Sequence, residues 1–245
     1  MLGLTWLIVL PVVMASLYTL VFWGVFQARW PAGPGAPALG QTQEALAFGL
    51  RLFAGLAVFQ FFADVMVRST RVITDNAPLV KRLRFPVMAL VLGQVISSFV
   101  SLLFALMVCL GLAVFGFGAS PDLLALFGAL SLILLITFGL GLGLAAVSTY
   151  LRDLQQVVPA VVTGLLFASP VFYPASQAKG LLAKLLTMNP LTKPIELIRG
   201  GVFGDLAWTA DAVSYWVSPM VWSLSLVIIG GWIFVRLEKG FADLI

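Results

Sequence analysis

Histidine is absent from the 245 residues, and cysteine occurs once, as Cys109. Without an imidazole there is no histidine acid/base catalysis and no histidine-containing zinc site. A lone cysteine cannot close a disulfide within the chain, so thiol usage is silent about compartment. Within VSLLFALMVCLGL it reads as a small buried apolar residue. Charge is also scarce, at 10% of residues, where soluble domains carry about 25%. Acids such as Asp64, Asp153 and Glu196 stand singly. An integral-membrane acyl- or glycosyltransferase would need clustered acids, histidines or a nucleophile at a membrane face. No G-x-x-x-x-G-K-[ST] loop is present, which excludes nucleotide hydrolysis by that route.

Apolar surface fills the space these absences leave. Hydrophobic residues make up 61% of the chain, and no core possible at this length hides that much, so lipid must be the solvent. The length suits one membrane domain without a second, soluble one. The net charge of +4 does not indicate nucleic acid, because the cations gather beside apolar segments, where they set orientation.

Runs of about 20 apolar residues can cross a bilayer. The sequence predicts spans at about residues 4–26, 48–67, 87–115, 122–150, 154–172 and 216–235. The first has neither a basic flank before it nor a small-residue cleavage site after it, and reads as a retained helix rather than a signal peptide. Residues 30–40 are rich in Pro, Gly and Ala and cannot hold a helix. Ser120-Pro121-Asp122 reads as an N-cap, a first-turn proline and an acidic first turn. The fifth span contains Pro159 and ends in Pro170 and Pro174, which predicts a short or discontinuous helix. Between Pro174 and the last span lie two short helical patterns separated by Asn189-Pro190. With Asn189 as N-cap and Pro190 at the first helical position, they suggest a re-entrant or interfacial hairpin at about residues 175–204.

Residues 68–84 hold Arg68, Arg71, Lys81, Arg82 and Arg84 against Asp75 alone, and Arg152, Arg236 and Lys239 fall on the same side. The positive-inside rule then places both termini in the cytoplasm. The other side carries Arg29, Lys179, Lys184, Lys193 and Arg199, with Arg51 near its boundary, so the bias is modest.

Several constellations have two readings. Asp64 is either a functional intramembrane acid or the i, i+4 partner of Arg68 at the interface. In the basic loop, Leu79, Val80, Leu83 and Phe85 interleave with Lys81, Arg82 and Arg84. That pattern suits a lipid-touching anchor or a short helix docking into a partner. Aromatics such as Tyr18, Phe22, Phe26, Phe172 and Tyr173 serve either as interface belts or as the wall of a pathway. The apolar GLGLG at 139–143 and Gly230-Gly231 read as close helix packing.

Four stretches together resemble the membrane subunits of bacterial ABC transporters that export polysaccharides, of the O-antigen, capsule and teichoic-acid type. They are LGLTWLIVLPVVMASLYTLVFWGVF at 2–26, RSTRVITDNAPLVKRLRFP at 68–86, YLRDLQQVVPAVVTGLLFASPVFYP at 150–174 and MNPLTKPIELIRGGVFG at 188–204. Each is weak alone, but the four follow the family's order across nearly the whole chain. One departure is that members usually carry a cytoplasmic amphipathic segment before the LG motif, which here directly follows Met1.

The resemblance implies an all-α integral membrane fold of six transmembrane helices, with a short re-entrant or interfacial helical hairpin between the fifth and sixth. It implies a multi-pass protein of the bacterial inner membrane, a homodimer paired with two copies of an ATP-binding subunit. That partner would hold ATP and magnesium, and this chain no cofactor or metal. The cargo would be a lipid-linked polysaccharide; the same scaffold with a drug or other lipid as cargo is the alternative. Ala77, Pro78, Leu79, Val80, Lys81, Arg82, Leu83, Arg84 and Phe85 match the family's coupling helix. The polymer path would run by the first and fifth helices, near Tyr18, Phe22, Phe26, Phe172 and Tyr173. Asp64, Arg68, Arg152, Asp153, Asn189, Pro190, Glu196 and Arg199 are assigned interfacial or structural roles.

Overall fold

The computed structural model describes residues 9, 13, 16, 17, 19–25, 30, 40–82, 86–204 and 212–241, and every regular element among them is helical. The expected first span lies mainly outside the described residues; its described part includes a π-helical turn, Leu20–Val25. Helix α1, Gln41–Ser69, begins where the Pro/Gly-rich stretch ends. Gly40 is extended, its carbonyl accepts from the Glu44 amide at 2.9 Å, and Glu44 sets a carboxylate in the first turn, where the helix dipole favours it. This helix outruns the apolar window at 48–67 because hydropathy marks only the part matched to lipid, whereas backbone hydrogen bonding continues through polar residues.

Two short helices follow, α2 (Val72–Asp75) and α3 (Ala77–Arg82). Next comes α4, Met88–Phe117, stopped by Gly118 in the left-handed region at φ 62°. Helix α5, Leu123–Tyr150, starts two residues later than a cap at Ser120 would place it. Its N-cap is Asp122, not Ser120: the Asp122 carboxylate accepts from the Ala125 amide at 3.0 Å. The Asp122 amide in turn donates to the Gly201 carbonyl at 2.8 Å, a tertiary bond that sets the helix start.

Helix α6, Leu154–Phe167, has 14 residues. At 1.5 Å per residue it reaches about 21 Å, short of the roughly 30 Å hydrocarbon core. The segment expected to reach residue 172 therefore stops early as a helix, with the chain turning at 168–173. A 3₁₀ turn, Ala175–Gln177, precedes α7 (Gly180–Met188) and α8 (Thr192–Phe203). Asn189 is not the N-cap of α8. It closes α7, and its side-chain oxygen accepts from the Leu191 amide at 2.9 Å, making a local turn that delays the next helix. The last helix, α9, is Ala212–Glu238. Four described helices are long and apolar enough to cross a membrane: α1, α4, α5 and α9.

Helix α1 is the central post. It packs against α4, α5, α6 and α8, while α5 lies along α9. The buried face of α4 is Val91, Val95, Ser98, Leu102, Leu106, Cys109 and Ala113, a stripe at spacings of three and four residues. Its other face carries Leu92, Ile96, Val100, Phe104, Met107 and Phe115, all exposed. Apolar residues all round are costly in water and favourable in lipid. Cys109 is buried, with Sγ 3.7 Å from the Leu50 carbonyl oxygen.

Close approach of α5 to α9 rests on glycine. A Cβ on Gly139 would lie 2.5 Å from the Leu226 carbonyl carbon, and one on Gly230 would strike the Gly139 carbonyl oxygen. Gly143 faces Gly230 at an ordinary distance, and Gly231 meets no neighbour. At the far end, the Tyr150 hydroxyl donates to the Leu237 carbonyl at 2.9 Å, and Phe241 packs between Tyr150 and Phe234.

Candidate functional site

Three groups of the singled-out residues can be placed. The first lies where α1 meets the basic loop. Arg68 Nε donates to Asp64 Oδ1 at 2.8 Å, and the Ser98 hydroxyl of α4 donates to Asp64 Oδ2 at 2.5 Å. Gln94, one turn before Ser98, donates to the Val65 carbonyl at 3.0 Å and to Ser69 Oγ at 3.3 Å. Asp64 thus joins α1 to α4 as well as pairing along its own helix. Ser98 and Gln94 were missed in the sequence; their i, i+4 spacing inside an apolar span was the signal. Beyond this cluster, Thr74 and Asn76 side chains bond back to the Arg71 and Val72 carbonyls, and Gln155 at the start of α6 donates to the Thr70 carbonyl at 3.4 Å. Helix α3 presents Leu79 and Lys81 outward. Leu83, Arg84 and Phe85 lie outside the described residues. Arg152 and Asp153 sit exposed in the turn before α6, where their carbonyls accept from Gln155 and Gln156.

Asp64→Ala is expected to lower the melting temperature of the purified protein more than Arg68→Ala does. The Arg68 side chain is 60% exposed, and such surface pairs contribute about 0–1 kcal/mol. Losing Asp64 also orphans the buried Ser98 hydroxyl, which costs a further 1–3 kcal/mol or so. Equal drops in a differential scanning measurement would refute the interhelical role.

The second group is aromatic. Phe22 and Phe172 stack with ring centroids 4.9 Å apart and planes 7° from parallel, and Phe167 lies 5.8 Å from Phe172. Tyr173 donates to the Phe167 carbonyl at 2.7 Å, closing the turn after α6. The structure therefore brings Phe22, Phe172 and Tyr173 together. Tyr18 and Phe26 lie outside the described residues.

The third group is the anchor of α8. Sequence placed Arg199 among interfacial or structural residues; it is buried, 3% exposed. Its Nε donates to the Arg51 carbonyl at 2.8 Å, Nη1 to the Pro170 carbonyl and Nη2 to the Val171 carbonyl. The guanidinium also lies 4.5 Å from the centre of the Trp30 ring, and a Cβ on Gly55 would collide with it. One fork thus ties α8 to α1 and to the turn that carries Phe172. Burial pulls its pKa down to about 9, opposed by Glu196 and reinforced by Arg51, so it remains a cation at neutral pH. Nearby, Asn189 donates to the Ala168 carbonyl and to Ser169 Oγ at 2.9 and 2.8 Å, a second tie to the same turn. Pro190 lines a cavity beside α8 together with Glu196. Glu196 accepts from Lys193 at 3.5 Å and from the Tyr215 hydroxyl at 3.2 Å. Among the described residues, no group of His, Cys, Asp and Glu side chains could hold a metal ion.

Comparison with known proteins places this geometry. Residues 1–203 match the ABC-2 type transporter membrane family. The chain is 24% identical over 250 residues to an O-antigen export system permease protein RfbA of Klebsiella pneumoniae, covering 99% of this chain and 87% of the relative. A second Klebsiella pneumoniae protein of that name is 22% identical over 249 residues, covering 100% of this chain and 88% of that one. The Myxococcus xanthus protein of that name is 27% identical over 196 residues, covering 78% of this chain and 68% of the relative. The match spans α1 to α8 and therefore both the polar cluster and the Arg199 anchor, and on it this multi-pass membrane chain belongs to the ABC-2 type transporter family.

Proposed function

We propose that this chain is the permease subunit of an ATP-driven exporter that moves a lipid-linked polysaccharide, of O-antigen or capsule type, across the bacterial inner membrane. The observation that carries the reading is end-to-end similarity to O-antigen export permeases, at 99% and 100% of this chain for two of them. The subunit works as a homodimer with two copies of an ATP-binding partner, which holds ATP and magnesium and performs hydrolysis. Six spans are reached by adding residues 4–26 and the segment of α6 to the four long helices. Both termini face the cytoplasm, and the α7–α8 pair forms the outer re-entrant hairpin.

In this reading the loop of α2 and α3 receives the partner's motion. The first short helix, α2, packs against α1, α4 and α5, and just before it Gln155 of α6 holds the Thr70 carbonyl at the end of α1, so the loop forms a compact lever. The motion reaches α1, α4 and α6 together. The stacked Phe22 and Phe172 form part of the pathway wall, because sugar rings present apolar CH faces that stack on aromatic faces. Deleting the gene should abolish surface polymer without changing drug sensitivity, and the chain should copurify with an ATP-binding subunit. Altered drug sensitivity with intact polymer would replace this cargo by a drug or lipid.

Replacing exposed Leu79 with aspartate should leave the subunit inserted and folded yet cut export at least roughly tenfold, because a charge in a docked apolar contact costs more than about 1.4 kcal/mol. The double variant Leu83→Asp/Phe85→Asp should do the same. Surface-polymer immunoblotting with membrane abundance as control measures both, and normal export from either form counts against the relay.

A further inference from the structure

The cavity beside the hairpin has a chemistry that the export reading does not use. It holds about 460 Å³ between α7, α8 and α9. Helix α9 contributes Tyr215, Ser218, Pro219 and Trp222, which at i, i+3, i+4 and i+7 form one stripe facing α8. Opposite them stand Lys193 and Glu196, the charged residues of the lining. The contacts to the carboxylate are slack, whereas Lys193 sits closely over the Tyr215 ring. Lys193 Nζ lies 3.5 Å from Glu196 Oε2 and 3.4 Å from the centre of the Tyr215 ring, and the Tyr215 hydroxyl lies 3.2 Å from the same carboxylate oxygen. Well-made charge-assisted bonds are about 2.7–2.9 Å. One cation and one anion side by side give a site that is neutral in sum and strongly dipolar. Both are only partly covered, with side chains 33% and 20% exposed. The rest of the lining includes an apolar wall: Ala183 and Leu186 on α7, and Pro219 and Trp222 on α9, the last exposed.

A neutral dipolar floor beside an apolar wall matches one ligand class. We propose that this groove binds a zwitterionic phospholipid, with its phosphate on Lys193, its ammonium group on Glu196, and an acyl chain running along Pro219 and Trp222. A free anion would find Glu196 repulsive. A neutral sugar would leave the charge pair without a counterpart and the apolar wall uncovered.

The full chain, purified and delipidated in detergent, can be titrated with phosphatidylethanolamine, phosphatidylcholine and phosphatidylglycerol and read by native mass spectrometry. Both zwitterionic lipids should bind more tightly than phosphatidylglycerol. Lys193→Gln and Glu196→Gln should each weaken them by roughly tenfold, the loss expected for one charge-assisted contact. Ser218→Trp, which fills the groove without touching either charge, should abolish binding. Three results would overturn the proposal: phosphatidylglycerol binding as well or better, zwitterionic lipid binding unchanged by Ser218→Trp, or displacement of the lipid by a soluble neutral disaccharide. The inference does not depend on the exported cargo, since it is read on the isolated subunit.

Discussion

Replacing Arg199 with leucine is expected to be among the most damaging single changes in the protein. The side chain is buried and donates to three carbonyls, those of Arg51, Pro170 and Val171. Leucine fills much of the same volume and offers no donor. Each orphaned buried acceptor costs about 1–3 kcal/mol. Against this, the variant no longer buries a cation, which recovers part of the loss. The remainder is still a few kcal/mol, a large share of a typical folding free energy of about 5–15 kcal/mol. The melting temperature in detergent should fall clearly and export should be lost, because the turn holding Phe172 is no longer tied to α1 and α8. Arg199→Lys should fall between wild type and leucine, since a single ammonium cannot span three carbonyls as the planar fork does. Gly55→Ala should reproduce the defect from the other side by pushing on the guanidinium. If Arg199→Leu melts and exports like the wild type, the anchor is not structural.

Comparable damage is expected from Gly230→Val, by a different mechanism. The Cβ that valine adds would meet the Gly139 carbonyl oxygen, and the reciprocal change at Gly139 would meet the Leu226 carbonyl carbon and oxygen at 2.5 and 2.6 Å. Those neighbours are backbone and cannot rotate away. Helices α5 and α9 must separate, and van der Waals packing falls off steeply with a gap of even 0.5–1 Å or so. Packing of this kind, rather than hydrophobic exclusion, holds helices together in lipid. Folded, monodisperse protein should be greatly reduced on size-exclusion chromatography. Gly231→Ala and Gly111→Ala serve as controls, because nothing lies within 4 Å of either new Cβ. They should be neutral or slightly stabilising, as alanine is favoured over glycine in a helix by up to about 1 kcal/mol. A harmless Gly230→Val would show that the crossing tolerates wider spacing.

Both predictions rest on features that the one-dimensional pattern hints at without specifying. The GLGLG run announced tight packing, because glycines at every second position of an apolar helix have little other use. It could not say that Gly139 faces α9, whereas Gly141 meets Ser69 and Val65 of α1. Asp64 and Arg68 were legible as an i, i+4 pair because helical spacing is local. Ser98, 34 residues away, was not, because only the packing of α4 on α1 brings it there. The misplaced caps at Asp122 and Asn189 have the same origin. Ser-Pro-Asp and Asn-Pro each offer more than one capping register, and contacts from the Gly201 carbonyl and the Ala168–Ser169 turn select between them.

The sequence by itself determined the solvent, the helical class and the sites of chain reversal. Those depend on how many apolar residues run together and on where Pro, Gly and charge interrupt them, and neither quantity needs a partner in space. It also identified the basic loop and the aromatic set, since side-chain type alone names them. Tertiary structure decided which residues those elements place in contact. It buried Arg199 on three carbonyls, stacked Phe22 on Phe172 and set Lys193 beside Glu196 and Tyr215. The physical reason is range: propensity and hydropathy act within a turn or two of chain, whereas a guanidinium's three acceptors come from segments up to 148 residues away.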